Sequence, residues 1–175
     1  MQLIPGFQKF DISQEYKISE FTCGTDSLDK FLKDGMAKQQ ERKILQAYVL
    51  LTNDYVPEVM GYYTLSSASF GKTHLSGSQQ RKVTYKNLPC VLLGRLAIDV
   101  RIQRHHFGEM MIVDAARRVY EASGTVGIYA LFVEALDDKA AIFYRSMGFT
   151  ESLKTDEGKF FFYPTNQFEK LIGYK

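Results

Sequence analysis

The sequence predicts an α/β fold in which helices flank a sheet of mixed direction. Two strand-like segments near the start are separated by a turn around Tyr55-Val56-Pro57, which is typical of a hairpin. Two strongly apolar segments follow later, and a helix-like segment comes after each of them. Strands that alternate with helices favour a sheet whose faces are covered by helices.

In the first half, a helix is predicted over TDSLDKFLKDGMAKQQ, with Thr25 in position to cap it. Its apolar stripe consists of Leu28, Phe31, Leu32, Gly35 and Met36. The segments ILQAYVLLT and EVMGYYTLSSASF are predicted strands. Tyr62 and Tyr63 alternate along the second strand, so we expect one to face a pocket and the other to pack. GKTHLSGSQQRKVTYKNLP is predicted as a long polar loop.

The second half contains the apolar strand CVLLGRLAID and a helix that begins near Phe107 and ends at Gly124. The apolar stripe of this helix is Phe107, Met111, Ala115, Val119 and Ala122. GIYALFVEAL is a predicted buried strand, and DDKAAIFYRSM is a predicted short helix that stops at Gly148. A late strand, KFFFYPT, precedes an amphipathic C-terminal tail.

Length and composition are those of an ordinary globular protein. The 175 residues fit a single domain, 1–175, with 45% hydrophobic and 24% charged residues. We expect a cytoplasmic protein, because no run approaches the roughly 18 apolar residues that span a bilayer and the start lacks a signal-peptide pattern. Cys23 and Cys90 have no metal-ligand spacing and are expected to be buried, and His74, His105 and His106 do not suggest a ligand set. No metal site is predicted.

The net charge is only +2, but cations and anions occupy different segments. The cations are Lys33, Lys38, Arg42 and Lys43, then Arg81, Lys82 and Lys86, and finally Arg101 and Arg104. Acidic residues gather in EALDDK and TDEGK. This segregation permits a basic face for a polyanion, although an ordinary solvated surface is the simpler interpretation.

The segment from Leu93 to Val119 runs from an apolar strand through the turn Gln103–Gly108 into the long helix. The start of a helix presents unpaired backbone N–H groups and the positive end of the helix dipole, so it can bind phosphate without a particular side chain. Within this turn, Gly108 is the single glycine. Taken alone, the pattern is a weak indication of a phosphate cradle.

A second motif strengthens this interpretation. After the next strand comes DDKAAIFYRSMGF, Asp137 to Phe149, which resembles the pattern N-x-x-A-x-x-x-Y-x-x-x-G-F of the GNAT superfamily of N-acetyltransferases. More narrowly, four separated segments are similar to the GNAT toxins of bacterial toxin–antitoxin pairs, the AtaT and ItaT group. These segments are FTCGTDSLDKFL, GYYTLSSASF, YKNLPCVLLGRLAID and GIYALFVEALDDKAAIFYRSMGF.

The resemblance implies a GNAT fold with a central mixed, mostly antiparallel twisted sheet flanked by helices. It implies a toxin that transfers acetyl from acetyl-CoA to the α-amino group of aminoacyl-tRNA and so blocks translation. It also implies a ribbon-helix-helix antitoxin as a partner, and it makes a homodimer plausible. The sequence departs from the family pattern at two positions. Relatives usually have glycine at the position of His106, and they often have glycine at that of Arg104.

The resemblance also implies site residues. Tyr144 would be the general acid that protonates the leaving thiolate, since a phenol with a pKa of roughly 10 stays protonated. Ala97, Ile98, Asp99 and Val100 would pair with the pantetheine arm like an added strand. The pyrophosphate would lie against the turn, with cofactor contacts from Gln103, Arg104, His105, His106, Phe107, Gly108, Glu109 and Met110. Phe143 and Asp138 would complete the cofactor site, but capping of the Tyr144 helix is the preferred role for Asp138.

For tRNA, phosphate contacts are expected from cations near the acceptor entrance. The predicted residues are Lys33, Lys38, Arg42, Lys43, Arg81, Lys82, Lys86 and Arg95. Arg95 lies in an apolar strand, so it either makes an inward polar contact or is a paired structural residue. The identity of the aminoacyl-tRNA and the antitoxin contact surface cannot be inferred from the sequence.

Two other functions remain open from the residues alone. The first is a GNAT enzyme acting on a small amine or a protein N-terminus, because the fold does not determine the substrate. The second is a binding module that has lost cofactor affinity through Arg104, His105 and His106.

Overall fold

The computed structural model describes residues 1–152 and 158–173. The part of the acidic segment TDEGK at 155–157 lies outside the described residues. The strands are β1 (Gln8–Lys9), β2 (Gln46–Leu51), β3 (Val59–Gly71), β4 (Asn87–Ile98), β5 (Ala130–Ala135), β6 (Thr150–Glu151) and β7 (Lys159–Pro164). The helices are α1 (Asp26–Asp34), α2 (Met36–Glu41), α3 (Gly77–Gln80), α4 (Phe107–Ala122), α5 (Asp138–Ser146) and α6 (Phe168–Ile172).

The described strands form a sheet in the order β1-β2-β3-β4-β5-β7-β6. The β1/β2, β2/β3, β5/β7 and β6/β7 pairs are antiparallel, whereas β4 and β5 are parallel. The predicted mixed, mostly antiparallel sheet flanked by helices is therefore confirmed. None of the described helices is long and apolar enough to cross a membrane.

The described residues form two compact units. Unit 1 consists of Met1–Ser66 and Gly94–Asp114, and unit 2 of Ser67–Leu93 and Ala115–Lys175. The boundaries between them fall inside β3, β4 and α4, so each unit contains part of these three elements. A single domain over 1–175 remains a prediction.

In unit 1, the core lies between α1, α2 and the strands β2 and β3, with Phe21, Met36, Val49 and Tyr62 almost fully buried. The predicted first helix is interrupted at Gly35, which separates α1 from α2. A Cβ atom at Gly35 would lie 3.2 Å from the ring of Phe31, so a side chain here would crowd that ring. Thr25 precedes α1 as predicted, but its side chain makes no capping hydrogen bond.

In unit 2, aromatic rings form much of the core. Phe70 stacks on Phe132 with ring centroids 4.0 Å apart, and Phe132 stacks on Phe162 at 5.3 Å. The predicted polar loop after β3 was wrong in part, because it contains a short 3-10 helix, the helix α3 and the first residues of β4. His74 and Leu75 are buried there, and His74 Nδ1 lies 2.5 Å from Ser152 Oγ.

Candidate functional site

The C-terminal half of β4 leads to the predicted cradle. The pairing of β4 with β5 ends at Leu93 and Val133, and β4 continues for the five residues Gly94–Ile98. Within this stretch the backbone N–H of Arg95 donates to the hydroxyl of the buried Thr64 at 3.1 Å. A Cβ atom at position 94 would lie 3.1 Å from the same hydroxyl oxygen, so a glycine allows this close approach.

β4 is followed by Asp99, whose side chain is completely buried. Its carboxylate accepts hydrogen bonds from the Arg101 backbone N–H at 2.9 Å, from Arg101 Nε at 2.8 Å and from the Thr22 N–H at 3.3 Å. Arg101 Nη2 donates to Asp99 at 2.9 Å and to Glu58 at 2.7 Å. Burial alone would raise the pKa of Asp99, but these donors outweigh it and hold the pKa below its ordinary value.

Gln103 begins the turn, and its side chain points back into unit 1. The side-chain amide Nε2 donates to the carbonyl oxygens of Cys23 and Ile98, each at 2.8 Å. These two bonds tie the turn to the end of β4 and to the segment before α1. The amide nitrogen is thus engaged within the protein, and a direct contact from Gln103 to a cofactor would come from its side-chain oxygen Oε1 or from its backbone.

The turn has a left-handed backbone at both positions where the family pattern has glycine. Arg104 and His106 each have φ of +65°. This conformation is strained for a residue with a Cβ atom, at a cost of roughly 1–2 kcal/mol. The substituted residues therefore preserve the backbone shape that glycine would adopt freely.

The first turn of α4 completes the cradle. Its hydrogen bonding starts with the Met110 N–H, which donates to the carbonyl of His106 at 3.2 Å. The preceding N–H groups of Phe107, Gly108 and Glu109 are those that a helix leaves available for an anion. The side chains of Arg104, His105 and His106 are exposed, and His106 Nδ1 lies 3.3 Å from Glu109 Oε1. This backbone, with the cationic Arg104 within the turn, fits a pyrophosphate.

The predicted strand-like contact with pantetheine needs a correction. The N–H of Asp99 donates to the Met60 carbonyl, and that of Val100 donates to the Thr22 carbonyl, both at 2.9 Å. Val100 belongs to a short 3-10 helix, not to β4. These two N–H groups are not free to pair with pantetheine, because both already have partners within unit 1. Contacts through other backbone groups of Asp99 and Val100 remain predictions. Cofactor contacts by Ala97 and Ile98 remain predictions.

Tyr144 lies on α5 in unit 2. It is 7% exposed, and its ring is surrounded by Phe143, Phe149 and Phe161 with centroids 5.4–6.1 Å away. Burial, with a smaller contribution from the negative charge of Asp137, raises the pKa of Tyr144 to about 12. The phenol is therefore fully protonated at neutral pH, which is the form that can donate a proton.

Both ends of α5 are fixed locally. Asp137 caps the start, since its carboxylate accepts from the Ala140 N–H at 2.7 Å, and Asp138 is the first helical residue. The preference for Asp138 as the cap was wrong by one position. At the other end Gly148 has φ of +93°, and the Phe149 N–H donates to the carbonyl of Tyr144 at 3.1 Å. The predicted stop at Gly148 is confirmed, and this closure fixes the helical turn that carries Tyr144.

Solved structures of known toxins resemble the chain along nearly its whole length. A tyrosine-to-phenylalanine mutant of KacT is 41% identical with a TM-score of 0.91, and covers 98% of this chain and 99% of its own. AtaT complexed with acetyl-methionyl-tRNAfMet is 39% identical with a TM-score of 0.90, over 97% and 99% of the two chains. The chain belongs to the GNAT toxins of toxin–antitoxin pairs.

Other relatives agree with this membership of the GNAT toxins. AtaTR bound with acetyl-CoA is 40% identical with a TM-score of 0.85, and covers 97% of this chain and 98% of its own. A tRNA-acetylating toxin of Mycobacterium tuberculosis (strain ATCC 25618 / H37Rv) is 29% identical over 133 residues, which are 76% of this chain and 78% of that protein. No protein-family model matches the chain.

The cations predicted to bind tRNA are exposed in this GNAT toxin. In unit 1 they are Lys33, Lys38, Arg42, Lys43 and Arg95, and in unit 2 they are Arg81, Lys82 and Lys86. Tyr62 and Tyr63, of which one was expected to face an acceptor pocket, are both fully buried. Tyr62 donates to the Leu28 carbonyl at 2.7 Å, and Tyr63 donates to Asp114. Cys90 is buried as expected, whereas Cys23 is only half-buried.

The structural roles of three polar side chains were missed in the sequence: Thr64, Asp137 and Asp99, of which Asp99 was predicted only as a cofactor contact. Thr64 bonds to Arg95, 31 positions away, and Asp99 bonds to Thr22, 77 positions away, so no local pattern reveals these two contacts. The bonds of Asp99 with Arg101 are local, because the two residues are two positions apart. Asp137 could have been found, because an aspartate three residues before Ala140 fits the spacing of a helix cap as well as Asp138 does.

Substitution of His106 tests the left-handed turn of the toxin. We expect His106→Gly to raise the free energy of unfolding by about 0.5–1 kcal/mol, because relief of strain exceeds the added entropy of the unfolded chain. His106→Val should lower it by about 1–2 kcal/mol, because a β-branched residue tolerates positive φ poorly. Chemical denaturation measures both values. Equal stability of the two variants would contradict a left-handed conformation at this residue.

The cap of α5 offers a matched pair of aspartates. We expect Asp137→Ala to lower the free energy of unfolding by about 1 kcal/mol, because the Ala140 N–H loses its acceptor. Asp138→Ala should cost no more than about 0.5 kcal/mol, since that residue contributes only its charge near the helix start. Thermal and chemical denaturation of both variants would compare them. A larger loss of unfolding free energy for Asp138→Ala than for Asp137→Ala would mean that Asp138 is the cap after all.

Proposed function

We propose that the chain transfers acetyl from acetyl-CoA to the α-amino group of aminoacyl-tRNA. The observation that carries the proposal is its similarity, over nearly the whole chain, to AtaT complexed with acetyl-methionyl-tRNAfMet. The tRNA-acetylating toxin and AtaTR bound with acetyl-CoA support the same reaction. An acetylated α-amine has its lone pair delocalised into an amide, so it cannot attack in peptide-bond formation and translation stops.

The acceptor amine needs little help to become a nucleophile. An α-amino group has a reference pKa of about 7.7–8.0, compared with about 10.4 for lysine. Esterification of the carboxyl group withdraws electron density and lowers the pKa of the amine further. A substantial fraction is therefore neutral near pH 7, and the reaction does not require a strong general base.

Tyr144 is the proposed general acid. The amine attacks the thioester carbonyl, the C–N bond forms, the C–S bond breaks, and the sulfur leaves as a thiolate. The amine loses one proton and the thiolate gains one, so the reaction is balanced. A phenol with a pKa of about 12 is a weaker acid than a thiol at about 8.5. Proton donation from Tyr144 to the thiolate is therefore unfavourable by itself. It is completed because Tyr144 takes up the proton that the amine releases, and the thiol keeps the proton that it received.

The acetyl-CoA site is proposed to use the cradle for the pyrophosphate. Its residues are Gln103, Arg104, His105, His106, Phe107, Gly108, Glu109 and Met110, with Ala97, Ile98, Asp99 and Val100 before them and Asp138 and Phe143 on α5. Contacts from Asp99, Val100, Gln103 and Met110 would come from the groups that remain available after the hydrogen bonds described above.

The partners and location follow from the same proposal. Relatives solved with the antitoxin AtaR and as the KacTA-DNA complex support an antitoxin partner for this chain, which we propose is of the ribbon-helix-helix type. A homodimer is also proposed. Because charged tRNA is the substrate, we place the protein in the cytoplasm.

The predicted phosphate contacts give the proposal a salt dependence. Each lysine or arginine that neutralises a tRNA phosphate releases counterions, so affinity falls steeply as salt rises. The exposed cations proposed for this role are Lys33, Lys38, Arg42, Lys43, Arg81, Lys82, Lys86 and Arg95. Turnover of a small neutral amine would not show this dependence.

The test is transfer of labelled acetyl from acetyl-CoA into a pool of charged tRNA. Uncharged tRNA and tRNA with a blocked α-amine serve as controls, and nuclease digestion should recover the label on aminoacyl-adenosine. Label that enters only charged tRNA, and less as salt rises, would support the proposal. Binding of acetyl-CoA without label in tRNA would favour a GNAT enzyme for small amines or protein N-termini. Absence of acetyl-CoA binding would favour the non-catalytic module.

A further inference from the structure

Arg95 is held face to face with an aromatic ring. Its guanidinium carbon lies 3.8 Å from the centroid of the Phe31 ring. The Arg95 side chain is exposed, while Phe31 is half-buried. Within the part of the chain that the structure describes, Arg95 makes no ion pair, so its charge is not neutralised by a carboxylate. Of the alternatives left open for Arg95, the inward polar contact is not seen, because the side chain is exposed and lies over an aromatic ring.

The Phe31 ring also packs against other residues of unit 1. Gly35 leaves space for it, since a Cβ atom there would lie 3.2 Å from Phe31 Cδ2. The buried ring of Tyr62 lies 6.2 Å from it, centroid to centroid. The hydroxyl of Tyr62 holds α1 by its bond to the Leu28 carbonyl at 2.7 Å. The Phe31 ring therefore lies close to Gly35 and the Tyr62 ring as well as to the guanidinium.

The position of Arg95 along β4 is also fixed. The buried hydroxyl of Thr64 accepts its backbone N–H. Arg95 and Ala97 are two residues apart, so they lie on the same face of the strand about 7 Å from each other. Ala97 is one of the residues proposed to contact acetyl-CoA. Arg95 thus lies about 7 Å along β4 from a residue that is proposed to contact the pantetheine arm of acetyl-CoA.

We infer that Arg95, stacked on Phe31, is the platform on which the unpaired base at the 3′ end of aminoacyl-tRNA stacks. The guanidinium carbon lies over the Phe31 ring and the Arg95 side chain is exposed, so the proposal places the base on the side of the guanidinium away from the ring. Single-stranded RNA ends are recognised by stacking on aromatic rings and arginine planes, which a paired stem does not permit. The inference rests on the proposed function and adds the part of the substrate that this residue recognises.

Arginine and lysine have the same charge but differ in stacking. A lysine at position 95 keeps a cation for phosphate but loses the planar group. The variants are therefore Arg95→Lys and Phe31→Leu, with Arg117→Lys as the matched control. Arg117 is exposed on α4 and has no assigned role in the site. Thermal denaturation should first confirm that each variant is folded.

Three acceptors separate the possible roles of Arg95. They are aminoacyl-tRNA, the same amino acid esterified to adenosine, and its methyl ester, which lacks a base. We expect Arg95→Lys and Phe31→Leu to lower kcat/KM about tenfold for the two acceptors that contain adenine. The methyl ester should react at the wild-type rate, and Arg117→Lys should match wild type with all three.

Other outcomes overturn the inference. An equal loss with all three acceptors would mean a structural role, and a loss with tRNA alone would mean phosphate contact. Full activity of Arg95→Lys would exclude stacking. In each of these cases, wild-type transfer to tRNA leaves the proposed function intact. A wild-type protein that acetylates the methyl ester but not tRNA would instead contradict the proposed function itself.

Discussion

Tyr144→Phe is expected to lower kcat for acetyl transfer by roughly a hundredfold to ten-thousandfold, with little change in the KM for acetyl-CoA. The variant keeps the ring and its packing against Phe149 and Phe161 and removes only the hydroxyl. Loss of a positioned general acid typically costs this much. Since the ring remains, the free energy of unfolding should change by less than about 1 kcal/mol.

Tyr163→Phe is the matched control for this experiment. Tyr163 lies on β7, is also 7% exposed, and loses the same single oxygen atom. Burial raises the pKa of Tyr163, as it does that of Tyr144. Steady-state kinetics of both variants should show a large loss for Tyr144→Phe alone. Comparable losses in both would indicate a general effect of removing a buried hydroxyl, and a fully active Tyr144→Phe would end its role as general acid.

The pH dependence gives the same assignment a second test. The acceptor amine must be neutral, so kcat/KM should rise with pH and level off by about pH 8, because esterification lowers the amine pKa below the reference range of about 7.7–8.0. With a pKa of about 12, Tyr144 stays protonated throughout this range and should not produce a falling limb below pH 10. A rate that falls between pH 8 and pH 10 would point to a different acid.

Asp99→Asn is expected to lower the free energy of unfolding by about 2–3 kcal/mol. The carboxylate is fully buried and accepts four hydrogen bonds, from Arg101 and the Thr22 N–H. An amide keeps the shape but directs one NH₂ group at these donors and leaves Arg101 without its buried counter-charge. Because the Arg101 side chain is 38% exposed, solvent relieves part of the loss.

Glu58→Gln is the control, since Glu58 binds the same guanidinium through a more exposed contact. We expect it to cost less than about 1 kcal/mol. Chemical denaturation at pH 7 would measure both variants, and a smaller effect for Asp99→Asn than for Glu58→Gln would contradict the central role of Asp99.

The pH dependence of stability should also differ between wild type and Asp99→Asn. The pKa of Asp99 is lowered in the folded protein, whereas an unfolded aspartate titrates near 3.9. The stabilisation by Asp99 is therefore fully present above about pH 4 and is lost as pH falls through the folded pKa. The gap in unfolding free energy between wild type and variant should narrow in that acidic range.

Most of the fold could be predicted because it depends on local patterns. The periodicity of apolar residues located β2, β3, β5 and β7 to within a few residues, and Gly148 correctly ended α5. The interruption of the first helix at Gly35 was missed, because Gly35 was counted in the apolar stripe of one continuous helix. The short helix and buried His74 after β3 were missed because that segment reads as polar.

The site was predictable where motifs carry the information and was not where polar contacts cross between distant segments. Tyr144 and the turn before α4 were predicted from motifs that resemble those of the GNAT toxins, and their roles in the reaction remain predictions. Asp99 bonding to Thr22, and Gln103 bonding to Cys23, join residues about 80 positions apart, so no window of sequence contains both partners. These two contacts support the backbone that leads to the cradle.

The left-handed residues Arg104 and His106 have a consequence for finding related enzymes. The cradle depends on the direction of backbone N–H groups, and two side chains that differ greatly from glycine still permit that direction here. A search that demands glycine at these places selects for the easiest way to build the turn rather than for the turn itself. Acetyltransferases with arginine or histidine in this loop should be recognised by their backbone dihedral angles.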